Sequence, residues 1–134
     1  QLLALYQHLN LDDPILPISS ELEQHWQEIL ADPYLHYLVI EDNGRLVSSC
    51  SLAIIKNLTR SARPYGLIEN VVTHPDYRKQ GYGTTLLKQA IATAEDRNCY
   101  KVMLMTSRKD EATLSFYEQA GFNRGDKTGF IIRL

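Results

Sequence analysis

Val71-Val72-Thr73-His74-Pro75-Asp76-Tyr77-Arg78-Lys79-Gln80-Gly81-Tyr82-Gly83-Thr84-Thr85-Leu86-Leu87 passes from β-branched residues, through a proline turn, into two glycines and a leucine pair. Val71, Val72 and Thr73 favour an extended strand, and His74-Pro75-Asp76 ends it. From Gly81 onward, Leu86, Leu87, Ala90, Ile91 and Ala94 recur on one face of a helix that runs to about Arg97. Two glycines one residue apart let main chain approach an anion closely, and the free N–H groups and positive dipole end of the helix favour a pyrophosphate there. Arg78 and Lys79 add mobile positive charge. Two familiar phosphate-binding spellings fail. The third glycine of Gly-x-Gly-x-x-Gly would fall where Leu86 stands, and Gly-x-x-x-x-Gly-Lys-Ser/Thr occurs nowhere. Glycines at a helix start also serve turns alone, so the segment by itself specifies an anion at a helix start.

Working outward, Tyr65–Thr73 reads as the strand that feeds this turn. Residues 34–41 and 45–55 are rich in β-formers and flank Asn43-Gly44, a dipeptide that accepts a type I′ hairpin turn. Residues 57–64 are polar, end in proline and read as a loop. Ahead of the hairpin, Leu2, Leu5, Tyr6 and Leu9 recur at helical spacing. A second helix opens on a capping box of Ser20 and Glu23 and carries Leu22, Trp26, Ile29 and Leu30, with Trp26 as a core anchor. Downstream, residues 101–106 form a short apolar strand. Asp110 can cap a helix bearing Leu114, Tyr117 and Ala120 with Gly121 just past its end, and residues 128–134 alternate as a last strand. Two helices, a hairpin, and then strand–helix units imply an α+β (αβα) domain, a mixed, mostly antiparallel sheet flanked by helices. Residues 1–134 fit one such domain. Ligands in these sheets collect at the carboxyl ends of strands where connections diverge, which places the site at Thr73.

Composition narrows the partners. A net charge of −2 and 44% hydrophobic residues give no polycationic surface for nucleic acid. No apolar run approaches the roughly 20 residues that span a bilayer, and the start lacks the features of a signal peptide, so no membrane and a cytoplasmic setting are expected. Cys50 and Cys99 lie outside any Cys-x-x-Cys pattern, and His8, His25, His36 and His74 lack ligand spacing, so no metal is expected. Gln1 opens inside an apolar pattern, so an element ahead of it is expected.

Arg78-Lys79-Gln80-Gly81-Tyr82-Gly83 resembles the Arg/Gln-x-x-Gly-x-Gly/Ala signature of the GCN5-related N-acetyltransferases, with its Val-Val-Thr-His-Pro lead-in and Leu-Leu continuation. Phe116-Tyr117-Glu118-Gln119-Ala120-Gly121-Phe122 resembles the Phe-Tyr-Glu-x-x-Gly-Phe segment of the same family, at the usual distance downstream. The conjunction is specific where either motif alone is not. The resemblance implies a GNAT-type acyl-CoA N-acyltransferase fold and transfer of acetyl from acetyl-CoA to a primary amine. In that reading, main-chain groups of Val71 and Thr73 pair with the pantetheine arm as an added strand, which requires a splayed strand edge. A backbone N–H near Val72 polarises the carbonyl. Arg78 and the N–H groups of Lys79, Gln80, Gly81, Tyr82, Gly83 and Thr84 hold the pyrophosphate. Asp110 stands where many relatives have a cofactor-contacting asparagine, and capping suits it better. The family's first strand is absent ahead of Leu2, and many relatives form homodimers.

Acetyl transfer needs a deprotonated amine and a proton for the departing thiolate. Glu69 interrupts an apolar strand two residues before Val71, hence on the same face in a regular pleat, and is the candidate base. Relatives with a glutamate in this strand commonly use it through a water. Tyr117, a phenol of pKa about 10 near a thiol of about 8.5, is the candidate acid. No Cys or Ser has an evident activating partner, so direct attack by the amine is expected, and Cys50 is not expected to carry acyl. The acceptor is expected to be read by the first two helices, the loop between them and residues 57–65, where Arg60 and Arg63 beside Tyr65 suit a carboxylate or phosphate. Gly66-Leu67-Ile68-Glu69-Asn70-Val71-Val72 is similar to acetyltransferases acting on amino-sugar phosphates and aminoalkylphosphonates. A small-metabolite amine is the leading acceptor; a protein N-terminus or lysine, or a noncatalytic acyl-CoA sensor, are the alternatives.

Overall fold

A computed structural model describes residues 1–134. The elements are α1 (Leu2–Tyr6), α2 (Ser20–Ala31), β1 (Leu35–Asp42), β2 (Arg45–Ile55), the single turn α3 (Thr59–Ala62), β3 (Tyr65–Thr73), α4 (Tyr82–Asp96), β4 (Val102–Leu104) and α5 (Glu111–Gln119). A short 3₁₀ turn, Pro75–Tyr77, follows β3. The sheet order is β1-β2-β3-β4, with the first three strands antiparallel and β4 parallel to β3. The α+β arrangement is the one expected. Asn43 and Gly44 both take positive φ, 50° and 78°, as a type I′ turn demands.

The core follows from the periodicity of α4. Leu86, Leu87, Ala90 and Ala94 bury one stripe against Cys50, Leu52 and Ile54 of β2 and Ile68 of β3. The alanines bring the helix axis close to the sheet, and Gly66 lets the Leu52 and Val102 side chains approach within 3.0 and 3.4 Å of where its Cβ would stand. On the opposite face α1 rests on β2 and β3 through Leu5.

Several expectations shift. Residues 128–134 form no strand: no bond from main chain to main chain involves residues 123–134, and Phe130 and Ile132 are 92% and 83% exposed. Their alternation is real, but a strand needs a ladder on at least one side, and none forms there. The second helix is capped by Ser19, whose Oγ accepts from Leu22 N–H at 3.2 Å, one residue before the expected capping box. Trp26 is half-buried, edge-on to Tyr37 at 5.2 Å; α2 has no buried residue and rides on the outer strand, so Trp26 anchors that contact and not the core. The first helix stops at Tyr6, and β4 is confined to three residues.

Candidate functional site

The strand that carries the site is irregular where the chemistry is expected. Ser51 pairs with Glu69 and Ser49 with Val72, so two residues of β3, Asn70 and Val71, face one residue of β2. This is a β-bulge, and Asn70 adopts φ 54° to make it, a conformation asparagine tolerates better than most residues. The bulge overturns the expected placement of Glu69. Opposite Ser51 and Ser49, Glu69 and Val72 share the face turned away from α4, whereas Val71 packs against the α4 core. The extra residue shifts the two-residue alternation by one.

The same shift decides which main-chain groups are available. Gly66 N–H donates to Lys101 O at 2.9 Å, so Gly66 and Ile68 turn their main-chain groups toward β4. His74 N–H donates to Val47 O at 2.9 Å, so beyond the bulge Val72 faces β2, and Val71 and Thr73 turn theirs the other way. The ladder with β4 ends at Ile68 and Leu104 while β3 continues to Thr73. The two strands therefore splay, and Val71 and Thr73 present an open edge. Thr73 O accepts from Arg78 Nε at 3.1 Å.

Two serines that sequence reasoning passed over pin the bulge. Ser51 Oγ donates to Glu69 O at 3.3 Å on one side of it, and Ser48 Oγ donates to Val72 O at 3.0 Å on the other. Ser48 Oγ also meets Thr73 Oγ1 at 2.8 Å. The signal was present: Ser48-Ser49-Cys50-Ser51 is a run of small residues between the apolar stretches of one strand.

At the end of β3 the chain turns through Lys79, φ 60°, and Gly81, φ 86°, into α4. The first main-chain donor of the helix is Thr85 N–H, which reaches Gly81 O at 2.9 Å; the N–H groups of residues 79–84 have no main-chain acceptor. Arg78, Lys79 and Gln80 are exposed beside them. This donor set suits a pyrophosphate. Gly83 has a second reason to be glycine: a Cβ there would stand 3.0 Å from Phe116 Cζ and 3.6 Å from Thr73 Oγ1. The two motifs, far apart in sequence, touch at this point.

That contact sets Tyr117. It lies half-buried in α5, tilted against Phe116 at 5.0 Å and edge-on to Phe122 at 6.5 Å. Burial, with smaller contributions from the Cys50 thiol and the Glu69 carboxylate, raises its pKa above the ordinary tyrosine value. The candidate acid and base are thus near enough for one to feel the other's charge, although Glu69 itself is exposed. Cys50 is fully buried and burial pushes its thiol up to about 12, so it forms no thiolate at neutral pH and cannot serve as an acyl carrier.

Asp110 caps α5. Its Oδ2 accepts from Thr113 N–H at 3.1 Å and Thr113 Oγ1 at 2.7 Å, and its Oδ1 from Arg108 Nε at 2.8 Å. Those bonds, Thr113 first and then Arg108, lower its pKa from 3.8 to about 2. A depressed carboxylate pKa stabilises the fold above the unfolded value, and that contribution is lost as pH falls through the folded one. Asp110→Ala should therefore lower Tm at pH 7, with the difference from the parent shrinking between about pH 4 and pH 2; an equal difference at both ends would contradict the capping role. Arg63 departs from expectation too, since its Nε and NH2 donate to Asn98 O and Cys99 O at 3.2 and 3.0 Å.

An open strand edge ending at an uncapped helix start, with a phenylalanine from a second motif packed against its glycine, is matched by a family model. It describes an acetyltransferase (GNAT) family and covers residues 2–122. The chain belongs to the GNAT family. Acetyl-CoA is the co-substrate of that family. Its fold is similar to a putative acetyltransferase from Agrobacterium tumefaciens str. C58, with 50% identity, a TM-score of 0.93, and coverage of 99% of this chain and 91% of that one. A glucosamine 6-phosphate N-acetyltransferase of Trypanosoma brucei brucei is 39% identical over 87 residues, 65% of this chain and 57% of its own length. A putative [ribosomal protein bS18]-alanine N-acetyltransferase of Bacillus subtilis is 27% identical over 103 residues, 77% of this chain and 64% of its own length. The GNAT chain thus spans less than two thirds of these two relatives. None of its helices is long and apolar enough to cross a membrane.

Proposed function

We propose that this GNAT chain transfers the acetyl group of acetyl-CoA to the primary amine of a small metabolite by direct attack. The observation that carries the reading is the splay of β3 from β4, whose open edge at Val71 and Thr73 leads to the free N–H groups of residues 79–84. In this reading that edge takes the pantetheine arm, and the main chain near Val72 polarises the thioester carbonyl. Arg78, Lys79, Gln80, Gly81, Tyr82, Gly83 and Thr84 hold the pyrophosphate.

The chemistry is then a balanced displacement. The amine nitrogen bonds to the thioester carbon, and Glu69, through a water, takes the proton that the nitrogen sheds. The C–S bond breaks as the tetrahedral oxyanion collapses, and Tyr117 gives its proton to the leaving thiolate. A tyrosine whose pKa is raised stays protonated at neutral pH, as an acid must. The small-molecule acceptor is supported by the likeness to the glucosamine 6-phosphate enzyme, and a peptide amine, the second reading, by the likeness to the ribosomal-protein enzyme.

Release of free CoA from acetyl-CoA, measured against a panel of small amines and N-terminal peptides, tests this. Release with small amines is expected. Release with peptides alone would replace the acceptor, and no release despite acetyl-CoA binding would replace the enzyme by a sensor.

A further inference from the structure

Two cations share one tyrosine ring at the other end of β3. Lys101 Nζ lies 5.1 Å from the centre of the Tyr65 ring and 5.4 Å from that of Tyr100, and Arg60 Cζ lies 6.0 Å from the Tyr100 ring. The two tyrosine rings meet edge-on at 6.2 Å, so the four residues form one cluster. No carboxylate lies within 4.0 Å of either cation, and among the arginines and lysines of the chain only Arg108 and Arg124 have one that close. Lys101 is half-buried, where an unpaired ammonium is costlier than at the surface.

The loop that delivers Arg60 is strained. Arg60, Ser61 and Ala62 adopt φ of 55°, 60° and 56°, three consecutive non-glycine residues in the left-handed region, which L-residues disfavour. Strain of this kind persists where surrounding structure holds it, and it gathers at ligand clamps. Stacking of these cations on the tyrosine rings does not by itself account for the strain.

The cluster also faces the right way. Gly66 and Ile68 turn their side toward α4, so Tyr65, Leu67 and Glu69 share the opposite face, and Lys101 stands level with Tyr65 because Gly66 pairs with Val102. Tyr65 and Glu69 are four residues apart, about 13 Å at a strand's rise. Tyr65, Leu67 and Glu69 therefore follow one another along one face of the sheet, from the cationic end to the candidate base.

We propose that Arg60, Lys101 and the hydroxyls of Tyr65 and Tyr100 form an anion subsite that takes a phosphate carried by the acceptor, at the end of the acceptor remote from its amine. This rests on the acetyltransferase reading above and names its substrate class: a phosphorylated amine. A guanidinium, an ammonium and two phenols match a phosphomonoester, with its several acceptor oxygens and charge near −2. Arg63, the other loop arginine, adds charge nearby but keeps its donors on main-chain carbonyls.

The test uses the full chain with glucosamine 6-phosphate and glucosamine as acceptors, and the ratio of their kcat/KM values as readout. The parent should favour the phosphorylated amine by about a hundredfold, and Arg60→Ala and Lys101→Ala should each cut that ratio about tenfold, the scale of one charge-assisted hydrogen bond. Lys101→Arg should restore most of it. A ratio near one in the parent, or the same ratio in parent and variants, overturns the subsite while leaving acetyl transfer standing. Calorimetric binding of inorganic phosphate decides the matter separately if no amine is acetylated. Binding weakened in both folded variants supports the subsite, and equal binding in all three proteins, or none in the parent, overturns it.

Discussion

Tyr117→Phe is expected to lower kcat by about 10²- to 10⁴-fold, the usual worth of a positioned general acid, with little change in affinity for acetyl-CoA. Only the hydroxyl is removed. The ring keeps its contacts with Phe116 at 5.0 Å and Phe122 at 6.5 Å, so α5 should stay seated on Gly83 and the cradle should survive. The pH profile adds a second readout. With its pKa raised chiefly by burial, Tyr117 stays protonated further into alkali than an ordinary tyrosine, and the parent should keep its acid function correspondingly far. The stability sign follows from the same shift: the folded state's advantage is complete below the unfolded tyrosine value and is lost as pH rises through the folded one, so the phenylalanine variant should lose less stability in alkali. Turnover close to that of the parent on the true amine would remove Tyr117 from the chemistry.

Glu69→Gln is the second large effect, again about 10²- to 10⁴-fold in kcat near neutrality. An alkyl amine, with a pKa of about 10.4, is almost wholly protonated at pH 7, and the carboxylate is what relieves it of a proton. The deficit should therefore shrink as pH rises toward the amine's own pKa, because the substrate then supplies its free base unaided. The substitution is structurally mild. Glu69 is exposed, and Ser51 holds its main-chain carbonyl and not its carboxylate, so the bulge should persist. A deficit that stays constant with pH would point to acceptor binding instead of proton removal.

Much of this was legible in one dimension. The periodicity from Leu86 to Ala94 gave α4 its buried stripe, Asn43-Gly44 gave the hairpin, and the glycines at 81 and 83 marked the helix start. These signals are local, and each is enforced by the backbone of the residues that carry it. What pattern could not show was non-local. The bulge depends on Ser48 and Ser51 of a neighbouring strand, and it moved Glu69 and Val71 to opposite faces against the regular alternation. Gly83 looked like an anion-binding glycine, yet its Cβ space is claimed by Phe116, 33 positions away. Arg63 looked available for a ligand and is spent on the turn that follows α4. Residues 128–134 show strand alternation, but alternation describes a face and not a partner.

The bulge also bears on how the gene for such a chain can vary in length. It absorbs one residue more in β3 than in the facing stretch of β2, so a chain without Asn70 would set Val71 opposite Cys50 and keep Val72 on Ser49 and Thr73 on Ser48 in a regular ladder. Val71 and Thr73 would still turn to the open edge, and only the local bend and added twist of the bulge would go. A one-codon deletion there thus isolates what the bend itself contributes, in a chain that keeps every motif residue.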